Sequence, residues 1–263
     1  MNPLPQYDCP SYKPGGKLKD KIAIITGGDS GIGRAVALTY AKEGADVAIL
    51  YLNENSDAKE TQEAVQMTGR RCLNIPMDIK KEEEAKRAVD LVMKEYGKID
   101  ILVNNAGVQY PQNSILDITK EQLYNTFESN IFSQFYMVKA VLPHLKEGST
   151  IINTTSITAF NGHPTLIDYS ATKGAILTLT RSLAQSLVQQ KIRVNAVAPG
   201  PVWTPLIVSS FAENEVKTFG SNVPMARAGQ PYELAPAYVF LGCEDSSYIT
   251  GQVIHINGGM IIN

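Results

Sequence analysis

The chain has little that would tie it to a secreted, membrane-bound or nucleic-acid-binding class. Only three of its 263 residues are cysteine, Cys9, Cys72 and Cys243. An odd number set so far apart excludes a disulfide framework and lacks the spacing of a structural zinc site. The three histidines, His144, His163 and His255, are scattered as widely, and no metal is expected. Neither charge is in excess: 24 basic against 26 acidic residues leave a formal net charge of −2. That balance argues against nucleic acid or an anionic membrane as main partner. No apolar run has the length of a membrane span, and no basic and apolar leader of signal-peptide type is legible. Repeats and low-complexity tracts are missing too. The expectation is a reduced, cytoplasmic protein with one large core.

What is present is alternation. Apolar runs at residues 21–26, 46–51, 72–76, 100–104, 150–154, 193–198 and 253–256 read as buried strands. Helical periodicity covers residues 34–41, 54–68, 82–96, a long stretch at 120–146, and the segment that carries Tyr169. This order predicts an α/β fold: a doubly wound parallel sheet of about seven strands, with right-handed crossovers and helices on both faces. Pro3, Pro5, Pro10 and Pro14 with Gly15-Gly16 make residues 1–17 an extended arm. Residues 18–263 read as a single domain.

The first strand runs into Gly27-Gly28-Asp29-Ser30-Gly31-Ile32-Gly33, and a helix follows. Strand, glycine turn and helix N-terminus together build a site for a dinucleotide pyrophosphate. Gly27 permits the tight turn, Gly31 lets backbone approach phosphate, and Gly33 lets helix pack close on strand. The spacing Gly-x-x-x-Gly-x-Gly differs from the commoner Gly-x-Gly-x-x-Gly. A glycine-rich loop without a ligand is the plain alternative, and the strand before and helix after weigh against it.

Tyr169 and Lys173 stand four apart in Tyr-Ser-Ala-Thr-Lys at the head of an apolar helical run, which stacks them on one face. A phenol beside a fixed ammonium can serve as a proton donor and acceptor near neutral pH. Free tyrosine titrates at about 10, so bringing it to about 7 takes roughly 4 kcal/mol of preference for the phenolate. A cation in a partly dry site can supply that. Taken alone, the pair is an ordinary helix face.

From about Leu18 to Gly259 the chain resembles the short-chain dehydrogenases/reductases. The motifs are Thr26-Gly27-x-x-x-Gly31-Ile32-Gly33, Asn104-Asn105-Ala106-Gly107, Asn130, Ser156, Tyr169-x-x-x-Lys173 and Pro199-Gly200. The arm and Thr-Gly-Gly-Asp-Ser-Gly-Ile-Gly also look like a bacterial subgroup of uncharacterised and stress-associated oxidoreductases. The resemblance implies hydride transfer between a nicotinamide dinucleotide and a small carbonyl or alcohol substrate. In it, Tyr169 is general acid or base, and Lys173 lowers the Tyr169 pKa and bonds the nicotinamide ribose. Ser156 donates to the substrate oxygen, and Asn130 holds a water that links Lys173 to solvent. Asn105, Ala106 and Gly107 would meet the adenosine ribose and central part of the cofactor, and Asp78 with Ile79 the adenine. Pro199, Gly200, Val202 and Thr204 would hold the carboxamide and diphosphate. Asn104 reads as a strand brace. Trp203, the only tryptophan, could face substrate or anchor its loop, and residues 206–220 read as a mobile lid. A dinucleotide sensor without turnover is the alternative, but it should lack Tyr, Lys or Ser, and this chain keeps all three.

For the choice of cofactor, the second strand ends in Tyr51-Leu52-Asn53, without the acid common in NAD binders. Asp29 and Ser30 stand before Gly31, where NADP binders often carry a cation. With Glu54 nearby and Arg34 on the first helix, pointing away, NAD is expected and NADP is left open. The resemblance also implies a homotetramer. Phe127, Ile131, Phe132, Phe135, Tyr136, Val138, Val141 and Leu142 exceed one core-facing stripe. So do Ile176, Leu177, Leu179, Leu183 and Leu187 on the Tyr169 helix, and Met260-Ile261-Ile262 is apolar at the chain end. Asn257, where many relatives have Asp, bears on assembly more than on catalysis.

Overall fold

The computed structural model describes residues 1–260. Seven strands form one parallel sheet: β1 (Ile22–Thr26), β2 (Asp46–Tyr51), β3 (Cys72–Pro76), β4 (Ile101–Asn104), β5 (Thr150–Thr154), β6 (Arg193–Pro199) and β7 (Val253–Ile256). Their spatial order is β3-β2-β1-β4-β5-β6-β7. Between them run α1 (Gly31–Lys42), α2 (Asn55–Gln66), α3 (Glu82–Tyr96), α4 (Lys120–Phe127), α5 (Ser133–Val141), α6 (Thr158–Asn161), α7 (Ile167–Leu187), α8 (Pro205–Ser210), α9 (Glu213–Lys217) and α10 (Pro231–Gly242).

Period-two alternation sends each strand's side chains to opposite layers. On β1, Ala23 and Ile25 join Val36, Tyr40, Leu234 and Tyr238 of α1 and α10. Ile22 and Ile24 face the other way, into Val89, Val92, Met137, Val138 and Leu187 of α3, α5 and α7. With both faces covered, the strands read as continuous apolar runs, as parallel sheets do. Each fully buried Leu, Ile or Val contributes roughly 1.5–3 kcal/mol.

Two readings need correction. Residues 120–146 are not one helix: α4 passes into a π-helical turn at Glu128–Phe132, then α5, then a 3₁₀ turn at Leu142–His144 that contains Pro143. The π turn carries Asn130 inward, where Val108 binds its side chain. α10 has no counterpart among the sequence-read helices. Pro231 opens it, and Glu233 reaches back to the Gln230 N–H at 2.7 Å.

The order places β1 between β2 and β4, so the connections leaving β1 and β4 diverge. The crevice at the carboxyl ends of these two strands is where such sheets bind ligands. No helix among the described residues is long and apolar enough to cross a membrane.

Candidate active site

The glycine loop is shaped by contacts no side chain could share. Gly27 and Gly31 lie at φ +63° and +52°, a region that disfavours other residues. A Cβ on Gly33 would sit 1.9 Å from the Gly27 carbonyl oxygen, and one on Gly28 2.5 Å from Ile49 Cγ2. The loop is held from below at Asp29, whose carbonyl accepts Arg34 Nε at 2.9 Å and Thr61 Oγ1 at 2.9 Å. The N-terminus of α1 thus presents its unpaired N–H groups and positive dipole end to the crevice.

Thr26, at the end of β1, stitches this loop to the end of β4. Its Oγ1 accepts the N–H of Asn105 at 2.9 Å and of Ala106 at 3.0 Å. Asn104 braces the sheet as expected, donating to Asn153 Oδ1 at 3.0 Å. Behind Gly107, the buried Asn130 accepts Val108 N–H at 2.8 Å, and donates to Val108 O and Thr172 Oγ1 at 3.0 Å each. A Cβ on Gly107 would lie 3.1 Å from Asn130 Oδ1 and 3.6 Å from Lys173 Nζ. Bare backbone at Gly107 therefore gives the Asn130 amide room that a side chain would crowd.

The α7 face brings Tyr169 and Lys173 together at the bottom of the crevice. Lys173 Nζ donates to Thr154 O, at the end of β5, at 2.9 Å and lies 5.3 Å from the centre of the Tyr169 ring. Ser156 Oγ accepts from Thr158 N and Thr158 Oγ1, each at 3.1 Å. Its own hydroxyl hydrogen is left for a third partner. Burial pushes the Tyr169 phenol up to about 12, against a smaller opposing pull from its hydrogen bond with Ser156. Burial also brings the Lys173 ammonium down to about 8. The net direction for Tyr169 is therefore upward, with burial as its cause. Desolvation dominates both groups, and the neutral forms gain.

These groups line one cleft of about 1040 Å³. Of the residues read from the sequence, Gly27, Asp29, Ser30, Gly31, Ile32, Tyr51, Leu52, Asp78 and Ile79 lie along it, with Asn105, Ala106 and Gly107. So do Ser156, Tyr169, Lys173, Pro199, Gly200, Val202 and Thr204. Gly33, Asn53 and Asn130 are not in the lining: Gly33 sits against Gly27, Asn53 is exposed, and Asn130 is fully buried. Trp203 does not face the cleft either. Its indole N–H donates to Pro3 O at 2.9 Å, so it anchors.

Several contributors carry no motif. Asp168, 3% exposed, accepts Thr126 Oγ1 at 2.8 Å and Gln122 Nε2 at 3.0 Å, tying α7 to α4 just before Tyr169. Its place beside Tyr169 was the only available signal. The short helices α8 and α9 cap the cleft through Leu206, Ile207 and Glu215. Among the described residues, no group of three or more His, Cys, Asp or Glu could hold a metal.

The family described as Enoyl-(Acyl carrier protein) reductase matches residues 27–261. The glucose and ribitol dehydrogenase of Daucus carota is 53% identical over 269 residues, covering 100% of this chain and 92% of that protein. The chloroplastic NADPH-dependent aldehyde reductase 1 of Arabidopsis thaliana is 51% identical over 271 residues, covering 100% and 94%. A solved 3-ketoacyl-(acyl-carrier-protein) reductase from Brucella melitensis, complexed with NADH, superposes with a TM-score of 0.85 at 34% identity. The match covers 93% of this chain and 100% of that one. The fold agrees with these matches, and the chain belongs to the short-chain dehydrogenase/reductase family of oxidoreductases.

Proposed function

We propose that this chain interconverts a carbonyl and an alcohol with a nicotinamide dinucleotide as hydride partner, with Tyr169 as general acid or base. The observation that carries the reading is one cleft with the glycine loop at one end and Tyr169, Ser156 and Lys173 at the other. The cradle fits a pyrophosphate, because Gly27, Ser30, Gly31 and Ile32 line the cleft at the start of α1, where no side chain caps the first helical N–H groups. Gly27, Ser30, Gly31 and Ile32 would hold it, with Asn105 to Gly107 beneath the central part, Asp78 and Ile79 at the adenine, and Thr204 opposite. The dinucleotide, when bound, gives or takes the hydride. Tyr169 then moves the proton at the substrate oxygen, donating it as a carbonyl becomes a hydroxyl and accepting it in reverse. Ser156 donates to the same oxygen as charge builds on it. Lys173, fixed by Thr154 O, orients the ribose and favours the phenolate when charged. Asn130 acts behind Gly107, fixing Val108 and the backbone beside Lys173.

Sugar alcohols and small aldehydes are the first substrates to try, on the similarity to the glucose and ribitol dehydrogenase and the aldehyde reductase. Residues 18–263 are read as the working domain, and three free thiols suit a reducing cytoplasm. The test is a panel of aldehydes and polyols with NAD(H) and NADP(H), followed by nicotinamide absorbance, on wild type and Tyr169→Phe. The expected result is turnover by wild type and a loss of roughly 10²–10⁴-fold in the variant with cofactor binding kept. A variant that keeps more than about a tenth of the rate sinks the assignment of Tyr169. Dinucleotide binding with no turnover across the panel would favour the sensor.

A further inference from the structure

Three features take no part in lining the cleft: the proline-rich arm, Arg34 and Trp203. They touch one another's neighbourhoods from behind it. Tyr7 of the arm lays its ring on the Arg34 guanidinium, 4.5 Å from carbon to ring centre. Arg34, 8% exposed, passes that contact on to Asp29 O through Nε, to Glu60 through Nη1 and to Asp57 O through Nη2, each at 2.9 Å. Asp29 and Asp57 both line the cleft. Four residues before Tyr7, Pro3 O accepts the Trp203 indole N–H, and the neighbours Val202 and Thr204 line the opposite wall. Between these ends Gln6 is knitted to the start of α10. Its N–H donates to Gln230 Oε1 at 2.9 Å, and its carbonyl accepts Tyr232 N–H at 3.2 Å.

The two loops so joined face each other across the cofactor end: a Cβ on Gly31 would lie 3.4 Å from Thr204 Cγ2. Resting on the dinucleotide reading above, we propose that residues 3–7 are a strap that sets affinity for the dinucleotide by holding the Asp29 loop and the Trp203 loop in their binding position. Tyr7 and Trp203 are its positioning residues. An extended, proline-rich segment suits the task, since its backbone has little freedom to lose on docking. Without the strap the loops spend time elsewhere, and apparent affinity falls in proportion to the competent fraction. An arm that merely adds stability would lower the melting temperature and leave affinity below it unchanged.

Calorimetric titration with NAD and NADP separates these on the full chain, a chain lacking residues 2–7, Trp203→Phe, Tyr7→Leu and Tyr7→Phe. The deletion should weaken binding about tenfold, equivalent to about 1.4 kcal/mol. Trp203→Phe and Tyr7→Leu should each weaken it roughly threefold, the reach of one hydrogen bond or one cation–π contact. Tyr7→Phe keeps the ring face and should match wild type. At saturating cofactor, kcat should stay within about twofold of wild type, the sign that ground-state cofactor binding alone was lost. Cofactor-free amide exchange over residues 28–34 and 200–206 should quicken in Tyr7→Leu. If the deletion does not fold, the point variants decide. Folded variants with unchanged affinity overturn the strap alone. A wild type that binds neither dinucleotide overturns the reading beneath it and the strap together.

Discussion

Gly33 meets the carbonyl oxygen of Gly27 so closely that a methyl carbon on it would lie 1.9 Å away. The obstacle is backbone at the turn from β1 into α1, and neither side can yield without moving the other. Gly33→Ala should therefore push α1 off the sheet. Overpacking of this kind costs about 1–3 kcal/mol, and each kcal/mol lowers Tm by about 2–4 °C in a chain of this size. Dinucleotide binding should fall with it. Differential scanning fluorimetry and a cofactor titration check both, and a variant with wild-type Tm and affinity would show that the loop is softer than its contacts imply.

The sheet was legible because each strand is a short apolar run ended by a turn residue, and the order of runs leaves few topologies. The glycine loop and the Tyr169–Lys173 pair were legible because their chemistry needs fixed spacing. What escaped depends on contacts distant in sequence. Nothing near Asn130 announces the π turn or the bonds between its amide and Val108. Trp203 could not be assigned without seeing Pro3, 200 residues earlier. Asn53 was grouped with Tyr51 and Leu52 by adjacency, yet the chain turns outward there. The upward shift of the Tyr169 pKa follows from burial, which a sequence does not show and which outweighs the hydrogen bond from Ser156.

Lys173 gives a pH test with a definite sign. Its folded pKa is about 8 against 10.5 for the free side chain, so between these values the unfolded chain holds the extra proton. Wild-type stability should then rise with pH from about 8 to 10.5 as the penalty on the buried ammonium is relieved, and the penalty stands in full below 8. Its size is roughly 3 kcal/mol. Subtracting Lys173→Met removes the titration of every other group. The stability of the variant minus that of wild type should shrink across this window in urea melts at pH 7 and pH 10. A pH-independent difference would mean that the ammonium is better solvated than its burial suggests.

A homotetramer is the expected assembly. Phe132 and Phe135 are 40% and 49% exposed beside Leu123 and Tyr124 at 41% and 54%. Ile131, Val138 and Val141 are already used by the core. This apolar surface exceeds what isolated surface residues explain, and a stable interface needs about 1,600 Å² in all. Ile261 and Ile262, read as part of a second contact, lie outside the described residues. Light scattering should give four times the 28.7 kDa chain. Phe135→Asp should break the contact through α4 and α5 and lower that mass, and a monomeric wild type would refute the assembly.

Cofactor choice turns on charge at the adenosine end. Asp29, Glu54 and Asp57 line the cleft there. Burial raises the Asp29 pKa, with Glu54 and Asp57 adding to the rise, so this acid already resists its charge and would resist a neighbouring phosphate more. Arg34, the nearby cation, is taken by Glu60 and Asp57 at 2.9 and 3.5 Å. Lys80, also in the lining, donates to Asn125 Oδ1 at 3.0 Å. A ribose hydroxyl can donate to an acid, whereas a 2′-phosphate cannot, so NAD should bind tighter than NADP by about tenfold, about 1.4 kcal/mol. The gap should narrow in Asp29→Asn and Glu54→Gln, and should shrink in high salt only as far as these acids are exposed to it. The similarity to an NADPH-dependent aldehyde reductase sets the opposite expectation, which makes the titration decisive. Tighter NADP binding by wild type would mean that Arg34 leaves Glu60 and Asp57 for the phosphate, and Arg34→Met would then abolish the preference.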